Sequence, residues 1–286
     1  MEQSASDPAV FDDHVSAWLT YLATPWARVR YAVVAAVLDR HIRELTDGSR
    51  PLRILDLGGA DGSDSVRLAM AGHEVTIVDY SEAMLELAVQ RARGSEAQDR
   101  LRVVVGSVEE LASGRTTGPG FDLALCHFVI QYVDDPDGVV DTVAKSVRPG
   151  GLVSLIAPNP ASDVLAKAIR DVDPTTALQL LDAVMVRTET FDQEVARIGV
   201  DQGCRLLEAA GCSVVGRYGS RAVIDLIADD AAKRDPERYA AIERLEIAVC
   251  DRSPYRDVAR AWQLVARREL PHDESVEHDI VVGRGG

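Results

Sequence analysis

The sequence predicts an α/β fold, a doubly wound sheet of seven strands with helical cap insertions, and three observations predict it. Five short apolar runs rich in β-branched residues have the length of buried strands: RILDL, EVTIVD, LRVVVG, FDLALCHF and LVSLIA. Segments of helical period, DSVRLAMAG, SEAMLELAVQRA and GVVDTVAKSV, separate them, which implies right-handed crossovers covering both faces of a parallel sheet. A glycine-rich turn follows the first run, where such sheets place their ligands.

Taken in order, residues 1–10 are polar and read as loose. Thr24 and Pro25 form an N-cap and first helical position, so a helix is expected over 25–45. Residues 1–24 are therefore an N-terminal segment, and 25–286 one domain of a size that buries a full core. The five runs follow, and the turn RPGG at 148–151 leads into the fifth. Beyond Pro158 and Pro160 the pattern is helical to about residue 186, VDQGCRLLEAAG is another helix, and SVVGRY is a sixth strand. Residues 225–249 read as helical, and AWQLVARR closes the sheet. Two helical insertions result, at about 159–198 and 219–258, expected to cap the carboxyl edge and shape a pocket there.

The formal charge of −15 and pI of 4.8 are spread along the chain, and they disfavour a polyanionic partner without excluding one. Cys126, Cys204, Cys212 and Cys250 have no C-x-x-C spacing, so a disulfide scaffold is not expected. No basic leader with an apolar stretch and no membrane-length apolar run stands in the sequence, which predicts a cytoplasmic protein with no membrane partner. Monomer and homodimer are both compatible with it.

The first turn reads Asp56-Leu57-Gly58-Gly59-Ala60-Asp61-Gly62. It is not the dinucleotide fingerprint, because Ala60 and Ser63 stand where the second and third glycines belong. Asp79 ends the second run, where a carboxylate can accept from both ribose hydroxyls; the alternative of a helix cap falls better to Ser81. Ser107 and Val108 follow the third run, as an adenine contact or as a turn serine and a core valine. His127 ends the fourth, facing the pocket or satisfied in the core. Neither a second His nor a Cys stands at ligand spacing to His127, and His272 and His278 lie in a polar tail, so no metal is expected.

Together with D-D-P at 134–136 and R-P-G-G, these motifs resemble a class I, S-adenosylmethionine (SAM)-dependent methyltransferase with a Rossmann-like sheet, over 53–157. More narrowly, FDD at 11–13, RYAVVAAVLDR at 30–40, GRYGSRAVID at 216–225, EIAVC at 246–250 and Ser253-Pro254-Tyr255 resemble the bacterial tRNA methyltransferases that esterify wobble 5-carboxymethoxyuridine. The resemblance implies SAM as cofactor, held by Arg30 at its carboxylate and by Asp56, Gly58, Gly59, Asp79, Ser107, Val108 and His127. A guanidinium suits a carboxylate because it grips bidentately. Arg28, two residues earlier, is expected to point away into solvent. The chain departs from the pattern at Ala60, and at 180–187, where the lysine-rich segment of the tRNA enzymes is apolar and acidic.

That departure and the net charge favour a small-molecule acceptor over tRNA, with transfer to a carboxylate or hydroxyl oxygen. Positioning two reactants in line can supply roughly 7–11 kcal/mol. A carboxylate needs no base, and Arg221 would orient it, unless Arg221 instead pairs with Asp225. A hydroxyl would call on His127 or Tyr132 for its proton. Two other classes compete: a SAM-binding scaffold without turnover, and an NAD-dependent dehydrogenase, against which the glycine spacing argues.

Overall fold

The computed structural model describes residues 14–46, 48, 50–113, 119–188 and 192–270. The expectations for residues 1–10, the likeness at 11–13 and the tail histidines His272 and His278 lie outside them.

Helix α1 (Val15–Leu22) precedes α2 (Pro25–Leu45), which has the expected bounds and a Thr24 cap that accepts from Ala27 N at 3.2 Å. Then come β1 (Arg53–Leu57), α3 (Ser63–Met70), β2 (Glu74–Asp79), α4 (Glu82–Ala92), β3 (Leu101–Val105), α5 (Val108–Ala112), β4 (Phe121–His127), α6 (Pro136–Ser146) and β5 (Val147–Pro158). The first insertion holds α7 (Pro160–Leu165), α8 (Pro174–Leu180) and a hairpin of β6 (Met185–Arg187) and β7 (Glu194–Ala196). Helix α9 (Val200–Ala209) and β8 (Cys212–Ser220) follow; the second insertion holds α10 (Asp230–Arg234), α11 (Pro236–Val249) and α12 (Tyr255–Val258), and β9 (Ala261–Arg268) ends the described chain.

The seven-stranded sheet runs β3-β2-β1-β4-β5-β9-β8, with β1 to β5 pairing parallel and β9 antiparallel to both of its neighbours. The strand order reverses between β1 and β4, so the crevice for a ligand opens at the carboxyl ends of those two strands. The period of two sorts the strand residues by face. Ile54, Leu123, Leu125, Leu152 and Ile156 pack with Val29, Val33 and Val37 of α2 on one side. Leu55, Ala124, Cys126, Val153 and Leu155 pack with Val139 and Val143 of α6 and Leu207 of α9 on the other. Each fully buried Val or Leu there contributes roughly 1.5–3 kcal/mol.

At the amino edge, Asp122 closes the start of β4. Its carboxylate accepts from Arg50 Nη2 at 2.6 Å, Arg148 Nε at 2.6 Å and Arg53 N at 2.9 Å. Burial works to raise its pKa; these donors outweigh burial and hold the carboxyl well below the usual carboxylate range.

Two expectations need correction. The first insertion is not helical through residue 186: after α8 the chain turns into the short β6–β7 hairpin, stabilised by cross-strand pairing that local helical period does not report. The N-terminal segment contains α1, which the sequence left unassigned because His14 gives it no side-chain cap.

Candidate active site

The first turn is held open by its glycines. Gly58 has φ +69°, and a Cβ on it would lie 2.4 Å from Val129 Cγ2; one on Gly59 would lie 2.6 Å from Asp56 Oδ2. Ala60, where the resemblance places a glycine, also adopts a left-handed φ of 45°, a conformation an alanine holds at a cost of about 1–2 kcal/mol. Three strand ends are laced together here. Gly58 N donates to Val78 O at 2.8 Å, Ala60 N to Asp79 Oδ2 at 2.9 Å and Gly106 N to Asp79 O at 3.0 Å. Asp79 Oδ1 accepts from Ser81 N at 2.9 Å, while Ser81 caps α4 through Met84 N at 3.2 Å, as its position predicts. Asp56 lies beneath the turn, 3 % exposed, and accepts from Ser65 Oγ at 2.6 Å. Burial pushes its carboxyl up to about 6.

Across this turn, Arg30 of α2 is 8 % exposed and ringed by aromatic side chains. Its guanidinium carbon lies 4.0 Å from the centre of the Tyr31 ring, 4.9 Å from Phe128, 5.7 Å from Tyr21 and 5.9 Å from Trp18. Its buried Nε has no hydrogen-bond partner among the described residues. Burial opposes the charge, but Tyr21, Tyr31, Asp64 and Asp61 outweigh it and raise the pKa. A buried cation with an unpartnered N–H is a receptor for an anion.

His127 ends β4 with both ring nitrogens engaged: Nδ1 lies 3.3 Å from Asp64 Oδ2, and Nε2 lies 2.9 Å from Ser154 Oγ. Gln263 Nε2 donates to that same Ser154 Oγ at 3.0 Å, so the ring is held by a chain of side chains on one side and faces the Asp64 carboxylate through Nδ1 on the other. His127 is therefore neither an isolated core histidine nor a ring with a nitrogen open to a substrate proton. Ser107 and Glu110 exchange a capping box at the start of α5, with Ser107 N donating to Glu110 Oε2 at 3.1 Å and Glu110 N to Ser107 Oγ at 3.4 Å. Val108 packs against the core beside β4.

Residues 55–153 match the methyltransferase domain family. A tRNA 5-carboxymethoxyuridine methyltransferase of Escherichia coli is 28% identical over 252 residues, covering 88% of this chain and 92% of the relative. A ubiquinone biosynthesis O-methyltransferase of Bordetella avium is 35% identical over 127 residues, covering 44% of this chain and 51% of its own. A SAM-dependent methyltransferase of Mesorhizobium loti shares the fold with a TM-score of 0.52 at 18% identity, over 80% of this chain and 96% of that one. The chain is a class I SAM-dependent methyltransferase.

In the methyltransferase, the residues expected on the acceptor side are placed differently from one another. Tyr132 packs beside Ala60, Met84 and Trp18 at the mouth of the turn, and burial pushes its phenol up to about 12. Arg221, at the end of β8 with φ 64°, takes the alternative left open for it: Nε and Nη2 donate to Asp225 Oδ1 and Oδ2 at 2.9 and 2.7 Å. That edge of its fork is occupied within the chain. Arg28 is exposed but does not point away unpartnered; it stacks 4.2 Å from the centre of the Tyr239 ring of α11.

Sequence reasoning missed Trp18, Tyr21 and Phe128 around Arg30, and missed Asp64, Ser154 and Gln263 behind His127. The last two carried a signal: each is a polar residue flanked by apolar ones within its strand, in LVSLIA and AWQLVA, and Ser154 and Gln263 are fully or nearly fully buried. Among the described residues no cluster of metal-binding side chains occurs, and no helix is long and apolar enough to cross a membrane.

Proposed function

We propose that the methyltransferase acts on a small molecule, transferring the methyl group to an oxygen that is already ionised, a carboxylate. The observation that carries this reading is the state of the basic residues in the first insertion. Lys167 and Arg170 pair with Asp171, Arg187 with Asp192 and Arg197 with Asp163, so each cation there is matched by a carboxylate of the same insertion. Leu178, Leu181 and Val184 are exposed between them. A phosphate backbone would have to displace these partners before gaining any of its own.

SAM, the methyl donor, supplies an electrophilic methyl on a sulfonium. Arg30 has the burial and the unpartnered Nε suited to the cofactor's carboxylate, Asp79 the acceptors suited to the ribose, and Gly58 and Gly59 the clearance for its backbone. The turn after β3, with Ser107 and Val108, lies beside Asp79 through the Gly106 hydrogen bond and suits the adenine. On the acceptor side, the Tyr132 phenol holds its proton at neutral pH, and His127 has both nitrogens engaged. Neither is placed to take a proton from a hydroxyl, which favours an acceptor that needs no base.

A second reading has its own observation. The likeness to the tRNA 5-carboxymethoxyuridine methyltransferase runs over most of both chains, and the acceptor named there also ends in a carboxyl group. Methyl uptake from labelled SAM, measured on carboxylate metabolites and on unmodified and 5-carboxymethoxyuridine-bearing tRNA at two salt concentrations, separates the two. Transfer to a small carboxylate, insensitive to salt, supports the proposal; salt-sensitive transfer to tRNA alone replaces it with the second reading.

A further inference from the structure

The acid that follows the glycine turn has no assigned role. Asp64 stands in the first turn of α3, its side chain 15 % exposed, and the one ion-pair partner it has among the described residues is the His127 ring. Burial works to raise its carboxyl pKa, but His127, Arg30 and Arg67 outweigh it and hold the carboxyl below its ordinary value. Asp64 is therefore an anion at neutral pH. The neighbouring acid, Asp61, is 1 % exposed and spent differently: it is paired with Arg91 and accepts from Ser63 Oγ at 2.8 Å.

Arg30 and Asp64 each feel the other's charge, yet no direct ion pair joins them among the described residues. A buried cation and a largely buried anion that feel each other's charge without pairing form a complementary pair of charges. The ligand that neutralises both is one carrying a carboxylate and an ammonium on adjacent atoms, as an α-amino acid does. The His127–Ser154–Gln263 chain fixes the carboxylate from behind. Gln263 donates to Ser154, the Ser154 hydroxyl is hydrogen-bonded to His127 Nε2, and His127 Nδ1 faces Asp64 Oδ2, so one oxygen is anchored and the group is held in one orientation.

We infer that Asp64 receives the α-ammonium of the cofactor's methionine half, and that Arg30 and Asp64 together form a clamp for its zwitterion, with His127, Ser154 and Gln263 as positioning residues. This rests on the reading of Arg30 as the carboxylate's partner, and it gives the His127 chain a purpose other than proton transfer.

Calorimetric titration of the full chain tests it, with S-adenosylhomocysteine (SAH) and with the analogue in which the amine is replaced by hydrogen, on the wild type and on Asp64→Asn. Asparagine keeps the shape and an oxygen acceptor for His127 while removing the charge. Wild type should bind SAH roughly 10- to 100-fold more tightly than the deamino analogue, the range of a charge-assisted hydrogen bond. In Asp64→Asn that ratio should fall to near one through loss of SAH affinity, with the analogue bound as before. A ratio that persists in the variant overturns the inference, and so does an equal loss for both ligands, which would make Asp64 a structural partner of His127 only. If Asp64→Asn does not fold, Asp64→Ser carries the same comparison. Wild type that binds neither ligand would sink the cofactor-site reading itself, a result distinct from these.

Discussion

Asp122 and Asp56 are buried on the adjacent strands β4 and β1, and their carboxyls are driven in opposite directions. Asp122, near the amino edge, has two guanidinium groups and a backbone amide to itself. Asp56, towards the carboxyl edge, has the Ser65 hydroxyl and a close approach from Gly59. The contrast extends to their surroundings. At the amino edge the buried Asp122 has its charge matched, whereas the carboxyl edge holds an arginine with an unpartnered Nε and left-handed backbone at Ala60, Phe128 and Arg221. Complete pairing serves stability; groups left short of a partner, and strain held by the surrounding fold, are where a ligand gains its binding energy.

The sharpest way to break this comparison is at Arg30. Arg30→Ala should weaken SAH binding by about a hundredfold or more, the loss of a charge-assisted pair, while the unfolding temperature of the free protein holds or rises. Equal calorimetric affinities in variant and wild type would move the anion site elsewhere.

At the amino edge, Asp122→Asn should cost about 2–3 kcal/mol in denaturant unfolding at pH 7 and leave the SAH affinity untouched. The sign follows from a pKa held low in the folded state. Asp122 contributes its stability above the unfolded value of about 4 and loses it as the pH falls below that, so variant and wild type should converge in acid.

Asp56 should behave in the opposite sense. Its folded value of about 6 lies above the unfolded one, so ionisation penalises the fold. The penalty is absent below about pH 4, grows between there and 6 and is complete above. Asp56→Asn should therefore gain about 1–3 kcal/mol at pH 8 and nothing at pH 4. A loss at both pH values would mean that its bond with Ser65 outweighs the burial of its charge.

The smallest effect is expected at Ala60. Glycine relieves the left-handed φ but frees the unfolded chain and removes a methyl packed near Met84 and Trp18, so Ala60→Gly should change stability by within about 1 kcal/mol. A larger loss, seen in urea melts, would show that this methyl group is a packing residue of the turn.

Much of the sheet was legible in the sequence because its central strands are buried on both faces and read as mainly apolar runs. RILDL, EVTIVD and AWQLVARR have the bounds that their composition suggests, and Thr24-Pro25 marked the start of α2 to the residue. The antiparallel insertion of β9 between β5 and β8 was not legible, since pairing order is a property of the whole sheet. Nor was the hairpin at 185–196, where helical period up to residue 186 gave way to tertiary packing. In the site, residues at strand ends were findable from position alone. Asp64 and the aromatic ring around Arg30 were not, because they come from four separate elements that only the fold brings together: α1, α2, α3 and the turn after β4.

Arg197 gives the first insertion a further property. Its guanidinium, with a side chain 3 % exposed, donates to Leu180 O, to Ala183 O at 3.0 Å and to Pro160 O at 2.7 Å, and lies 3.5 Å from Asp163. One side chain thus ties the segment's departure from the sheet to its return, like a drawstring closing a pouch. In consequence the segment's two ends are held at a fixed separation by one buried guanidinium, so the loss of that side chain alone would release both of them at once.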